Sequence, residues 1–394
     1  MATARLLDLT RLVSRLGRGP QTGVDRVEFA YLSHLLTLDQ PLFGLVRTPL
    51  GFLLLDRSGM SALRSLALGE TPLGRADLLG RLSQRRDPRR AKADAAMRRL
   101  AIARAPRPLL TRMLRRYLPD GSSYLNTGHA NLTDRTLTAI RRAGLRVTVL
   151  VHDTIPLDAP QFCRPDTIPD FRRKMAAVAR HADLVIHTTH ATRARTEAQF
   201  AQLGRCPTGI IANLGVPVPE TTPHPSDTPY FVTLGTIEPR KNHALLLDVW
   251  DRLPARKPDL HIIGSRGWNN AAVFARLDAL TANAGIIERH GLSDAQVATL
   301  IAGATAFLFP SHAEGFGLPP IEAAALGTRV ISSDLPVIRE LLGDNAVYLD
   351  PTDVYSWVET IAALAKAPRA ENGQTKRFLP PTWAEHFKIV LNLA

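Results

Sequence analysis

Two glutamates eight positions apart, Glu314 and Glu322, lie in the segment SHAEGFGLPPIEAAALG, residues 311–327. Each carboxylate offers two acceptor oxygens, which suits a vicinal diol of a sugar or a ribose. Gly315 and Gly317 remove side-chain bulk, so backbone N–H groups can approach a ligand. Pro319 and Pro320 mark the first turn of a helix whose N-terminus favours an anionic group. A plainer role stays open, with Glu322 complementing the helix dipole and Glu314 solvated. A second loop, GTIEPRKN (235–242), sets Arg240 and Lys241 side by side at the start of a helix. A planar fork of donors and a mobile point charge together can neutralise a leaving group whose negative charge grows as a bond breaks. Taken alone the dipeptide also fits a solvated basic turn. In the first half, VHDTIP places His152 and Asp153 just past an apolar run, where His152 either faces a ligand or caps structure.

The elements that must position these residues alternate. Apolar runs at Tyr230–Leu234, Leu260–Ile263, Thr305–Phe309 and Arg329–Ser332 read as short buried strands, each followed by loop and helix signals. Phe43–Val46, Val147–His152 and Leu184–His187 read the same way, and Phe171, Met175, Val178 and Ala179 fall at helical spacing between the last two. Alternation of this kind implies parallel sheets covered by helices, so the fold class is α/β. The segment GVPVPETTPHPSDTP (215–229), with five prolines, breaks any period and reads as a linker. Three parts follow: residues 1–218, residues 219–382 and a terminal helix over residues 383–394. Two doubly wound domains leave a cleft at the carboxyl ends of their strands, where such sheets bind ligands.

Composition agrees with a large globular protein. The chain has 394 residues, of which 45% are hydrophobic and 22% charged, far from a disordered composition. Cys163 and Cys206 cannot supply a disulfide scaffold or a four-ligand zinc site. The first thirty residues lack an apolar signal core, and no run is long enough to span a bilayer, so a cytoplasmic protein is expected. The net charge of +13 is uneven. Residues 1–220 carry 34 Lys and Arg against 18 Asp and Glu, whereas residues 221–394 carry 15 against 18.

The order GTIEPRKN, then Gly264 after the strand at Ile263, then EGFGLPPIEAAALGTRVISSDLPVIREL resembles the nucleotide-sugar-dependent glycosyltransferases of family 4. The likeness covers about Tyr230 to Pro351. It implies the GT-B architecture, two Rossmann-like domains facing a central cleft, and retaining transfer from a nucleoside diphosphate sugar. It further implies that Arg240 and Lys241 bind the donor diphosphate, that Glu314 holds hydroxyls of the donor sugar and that Glu322 holds the ribose. The backbone of Gly315, Phe316 and Gly317 lines the sugar and phosphate, with Gly235 and Leu318 beside them. His152 fits the histidine that the family places near the donor sugar, so the expected catalytic set is His152, Arg240, Lys241 and Glu314. Gly17, Gly19 and Gly23 lie where the family commonly has a glycine loop near the donor phosphate, although the adjacent glycines of its usual form are missing. Thr188 and Thr189 occupy a loop where relatives place hydroxyl residues. No Asp-x-Asp triplet is present, so the cationic pair takes the place of a metal, and neither metal nor cofactor is expected. The acceptor implied is a glycan or a lipid-linked molecule of bacterial surface polysaccharide or lipopolysaccharide.

Residues 81–118 hold 13 basic residues and depart from the family pattern. Within them LLTRMLRRYL (109–118) is a cationic amphipathic helix with Arg112, Arg115 and Arg116 off its apolar stripe. It either packs into the first domain or docks on an anionic leaflet or a phosphate-bearing acceptor, as a peripheral contact at the inner face of the cell membrane. Nucleic acid is not expected as a partner, because aromatic residues are 6% of the chain and do not interleave with the basic run. An epimerase of the same architecture or a noncatalytic binder are the rival classes.

Overall fold

The computed structural model describes residues 2–19, 23–84, 86–221, 228–254, 257–281, 284–366 and 378–393. Arg85 and Ala394, together with residues 222–227 of the expected linker, lie outside the described residues. Fourteen strands form two sheets among them. The first sheet contains β1 (Arg5–Asp8), β2 (Leu42–Thr48), β3 (Gly51–Leu55), β4 (Ala103–Ala105), β5 (Ser123–Asn126), β6 (Arg146–Val151), β7 (Leu184–His187) and β8 (Thr208–Ile211). Their order is β4-β3-β2-β1-β5-β6-β7-β8, all running parallel except β3, which pairs antiparallel with both β2 and β4. The second sheet contains β9 (Tyr230–Leu234), β10 (Asp259–Ile263), β11 (Ile286–Arg289), β12 (Ala306–Phe309), β13 (Val330–Ser333) and β14 (Ala346–Leu349). It is wholly parallel, in the order β11-β10-β9-β12-β13-β14.

Runs such as RVTVLV and AFLF are buried because helices cover both faces of a parallel sheet, leaving no solvated face to alternate towards. The edge strands β8, β11 and β14 are only partly buried. The antiparallel pair β3 and β4 widens the first sheet in a way that simple alternation does not reveal. Strand order reverses between β1 and β5 in one sheet and between β9 and β12 in the other. Ligands of such sheets bind outside the carboxyl ends of the strands at these reversals.

The amphipathic helix is observed at Leu110–Tyr117, after a 3-10 turn at Arg107–Leu109. Leu110, Met113 and Leu114 are buried in a core with Leu6, Leu45 and Phe52, so the apolar stripe faces the first domain and not a membrane. Arg112, Arg115 and Arg116 remain exposed, Arg115 donating to the Arg142 carbonyl at 2.5 Å. At the far end of the chain, helix Trp383–Leu393 lies on the first domain. His386 Nδ1 donates to the Asn213 carbonyl at 3.0 Å, which leaves Nε2 to accept from the Tyr31 hydroxyl at 2.7 Å. Phe387 stacks on His34 with centroids 3.8 Å apart, and Arg5 donates to the Leu391 carbonyl.

Candidate active site

The two loops singled out in the second half leave adjacent strands. β9 runs into Gly235, a 3-10 turn at Pro239–Lys241 and helix His243–Arg252, with Asn242 in the left-handed region at the junction. A Cβ on Gly235 would stand 3.3 Å from Cε of Lys241, so the glycine makes room for the lysine stem to fold beneath the loop. β12 ends at Phe309, whose ring lies 4.7 Å below the Lys241 ammonium. Beyond it Glu314 receives Lys241 Nζ at 2.7 Å and Arg240 Nη1 at 2.8 Å on the same oxygen. Arg240 also pairs with Glu238 at 2.8 Å and donates to the Ala313 carbonyl at 2.9 Å.

Electrostatics separates the two cations. Burial alone would raise the Glu314 pKa, but Arg240 and Lys241 overcome it and hold the carboxyl at about 2. Burial would also lower Arg240, yet Glu314, Glu238 and Asp153 lift it above its ordinary value. Lys241 loses more to burial than it recovers from Glu314 and sits below the ordinary amine range. Glu238 and Asp153 are pushed up, chiefly by burial. The site therefore holds a fixed cation, a softer cation and a carboxylate ionised at neutral pH.

From Glu314 the chain turns into helix Leu318–Ala325 through Gly317, whose φ of 86° belongs to the left-handed region; a Cβ there would meet Ile338 Cδ1 at 2.4 Å. Gly315 fits because its Cα abuts the first domain, where a Cβ would stand 2.4 Å from the His152 carbonyl oxygen and 2.8 Å from Asp153 Cβ. The Gly315 carbonyl accepts from Thr188 Oγ1 at 3.1 Å and Thr192 Oγ1 at 2.7 Å. Thr189 has a different duty, capping helix His190–Gln202. Phe316 is buried in the large core cluster that also includes Ile338. The N–H groups of Gly315, Phe316 and Gly317 meet no acceptor among the described residues, which leaves three donors at a helix N-terminus.

His152 follows β6 and is buried. Its Nε2 lies 2.6 Å from the Thr127 carbonyl, so Nε2 carries the proton and Nδ1 is left as an acceptor. With its N–H engaged in this way, the imidazole could receive a proton from a hydroxyl at Nδ1 but has no N–H left to donate. Burial holds the ring near pKa 4, partly offset by the Thr127 bond.

Glu322, Leu318 and Gly23 form a second group. Gly23 begins helix Gly23–Leu36 and a Cβ there would meet Leu318 Cδ1 at 3.4 Å. Three positions on, Arg26 reaches across the cleft to Glu322 at 2.9 Å and Asp294 at 3.2 Å. Arg26, Thr192 and Glu238 escaped the sequence reading. No local spacing marks Arg26, whose partner Glu322 lies 296 residues along the chain. Arg112, Arg115 and Arg116 join neither group; their helix is tied instead to helix Asp134–Arg142 through Thr111 and the Ala139 carbonyl.

Two doubly wound sheets meeting through the loops at the carboxyl ends of their strands define the GT-B architecture of glycosyltransferases. Residues 218–377 match the family model for glycosyl transferases group 1. It is 30% identical over 264 residues to the serotype-specific mannosyltransferase WbdA of Escherichia coli, a match covering 60% of this chain and 32% of the relative. It is 34% identical over 128 residues to the O-antigen chain mannosyltransferase B of Escherichia coli, covering 32% and 34% of the two chains. The chain therefore spans about a third of the length of these curated relatives. Among solved structures, HepE of Anabaena with UDP and glucose aligns over 99% of both chains, with TM-score 0.63 and 15% identity. The lipopolysaccharide outer core galactosyltransferase WaaB aligns over 92% of this chain and 90% of that one, with TM-score 0.57 and 16% identity. At such identities these likenesses establish the fold.

Proposed function

We propose that the protein is a retaining glycosyltransferase that moves a hexose from a UDP- or GDP-linked donor to a glycan or lipid-linked acceptor of a bacterial surface polysaccharide. The observation that carries this reading is the convergence of buried Arg240 and Lys241 on one Glu314 oxygen beside the β9/β12 reversal. Oxygens of a diphosphate would take over the donors that Glu314 now holds, and the freed carboxylate would accept from sugar hydroxyls. The N–H groups of Gly315, Phe316 and Gly317 would meet the sugar and phosphate, and Glu322 the ribose. The relatives named as mannosyltransferases favour mannose as the sugar.

In the reaction the bond between the anomeric carbon and the donor phosphate oxygen breaks, and its electron pair stays with the phosphate. Arg240 and Lys241 stabilise the growing charge. The acceptor hydroxyl oxygen bonds the anomeric carbon on the same face, and its proton passes to the departing phosphate. No side chain is assigned as general base: Glu314 is held ionised but shares both cations, and His152 is neutral. Retention is tested by the anomeric proton coupling constants of the product. The donor's configuration is expected; an inverted product overturns the mechanism.

A further inference from the structure

We propose that helix Leu78–Ser83 and the cationic concavity beside it form a docking face for an anionic lipid bilayer. The surface is different from the Arg112, Arg115 and Arg116 helix and goes beyond the catalytic reading. Leu78, Leu79 and Leu82 are 75%, 48% and 60% exposed, an unusual density of apolar side chain on six residues. At 100° per residue the three leucines fall within one face of the helix. Gly80 lies on the opposite face, where a Cβ would stand 2.8 Å from the Ala91 carbonyl oxygen of helix Pro88–Leu100. The close approach at Gly80 therefore turns the leucines outward. Their presentation is rigid, because Asp77 caps the helix through Gly80 N at 2.7 Å and is itself gripped by Arg98 Nε at 2.8 Å.

The charge around this face is uncompensated. Asp77 pairs with Arg98, Asp87 with Arg18 and Asp94 with Arg90, so the acids of the segment are already engaged. Arg75, Arg81, Arg86, Arg89 and Lys92 are exposed and have no ion-pair partner among the described residues. Arg75, Arg81 and Lys92 line one concavity of about 510 Å³ with Gln84, Pro88 and Ala91. Apolar side chains surrounded by free cations match an anionic interface, in which the leucines enter the acyl boundary and the cations meet phosphates. Among the described residues no helix is long and apolar enough to cross a membrane, so this contact is peripheral.

The face also has a useful position. Arg18, which follows the loop at Gly17, pairs with Asp87, and Arg90 donates to the Arg47 carbonyl near the carboxyl end of β2 at 3.1 Å. A bilayer held there lies on the cleft side of the first sheet, where a lipid-linked acceptor would be delivered.

Vesicle flotation tests the proposal with the full chain. The wild type is expected to float with phosphatidylcholine–phosphatidylglycerol vesicles, not with phosphatidylcholine alone, and to be released by salt. Replacing Leu78, Leu79 and Leu82 together with Ser is expected to abolish flotation. The Arg75→Gln, Arg81→Gln, Lys92→Gln variant is expected to lower partitioning on the order of a hundredfold, at roughly fivefold per cation. The Arg112→Gln, Arg115→Gln, Arg116→Gln variant is expected to float as the wild type does. Thermal melting of each variant verifies folding, and the cation variant stands alone should the leucine variant fail to fold. Absence of wild-type flotation, or flotation unchanged in either variant of the docking face, overturns the proposal. So does a wild-type dimer that the leucine substitutions convert to monomer without lipid, which would assign the leucines to a second copy of the chain.

Discussion

Glu322 is occupied by a side chain from the other domain, and this has a consequence for binding. Its carboxylate is engaged by Arg26 at 2.9 Å, so a ribose that uses Glu322 must compete with a guanidinium. Arg26→Ala is therefore expected to tighten donor binding severalfold, whereas Glu322→Ala weakens it by about tenfold, the value of a charged hydrogen bond. Calorimetric titration with UDP and GDP reads both, and equal weakening by the two variants would show that Arg26 binds the nucleotide itself. Glu314, Glu322, Arg240 and Lys241 were legible in the sequence because their significance lies in short local spacing. Arg26 was not, because its partner is 296 residues away and nothing local distinguishes it from the many arginines of the first half. The sense of the His152 bond was equally hidden, since it depends on where β6 places the ring relative to Thr127.

At the scale of elements, β6, β9 and β12 were readable as apolar runs, whereas β1 and β5 were not. β1 is only RLLD, and its two charged ends look like surface residues. In the fold Arg5 and Asp8 are both buried, Asp8 accepting from Tyr124 at 2.7 Å and Asn131 at 2.6 Å. Tertiary partners permit a central strand that local composition argues against. The junction of β6 with the glutamate loop is tight enough to predict a mutation. Gly315→Ala places a methyl against the His152 carbonyl, and overpacking of this kind costs about 1–3 kcal/mol. Chemical denaturation is expected to show that loss, and an unchanged midpoint would mean that the two domains separate freely. Burial at these junctions also sets a pH dependence. His152, His187, His243 and His386 are held near pKa 4 against 6.5 when unfolded. The unfolded chain then binds more protons between those values, so stability is full above pH 6.5 and falls as the pH drops towards 4. His152→Gln is expected to make that fall shallower in denaturation midpoints; an identical fall would place the His152 ring in a solvated setting.

For the whole molecule, the alternation of strands and helices sufficed to expect two doubly wound sheets. The way they meet could not be read from either half. Contacts made by Gly315, Thr188, Thr192 and Arg26 join the loops of one domain to the other, and helix Trp383–Leu393 returns to the first domain through Tyr31 and Asn213. The uneven charge of the chain was visible early, but its assignment to helix Leu110–Tyr117 rested on a stripe that the first core consumes. Which leucines stay exposed depends on Gly80 and Asp77, residues whose packing no periodicity encodes. The central claim is that the cations at the β9/β12 reversal serve the diphosphate of a sugar donor. Its most direct test is the release of nucleoside diphosphate from a panel of UDP-, GDP- and ADP-sugars by the wild type, by Lys241→Ala and by Glu322→Ala. Release from one donor by the wild type, reduced about 10²–10³-fold in Lys241→Ala and strongly in Glu322→Ala, is the predicted result. Release that both variants retain, or failure of every donor both to react and to raise the melting temperature, would contradict it.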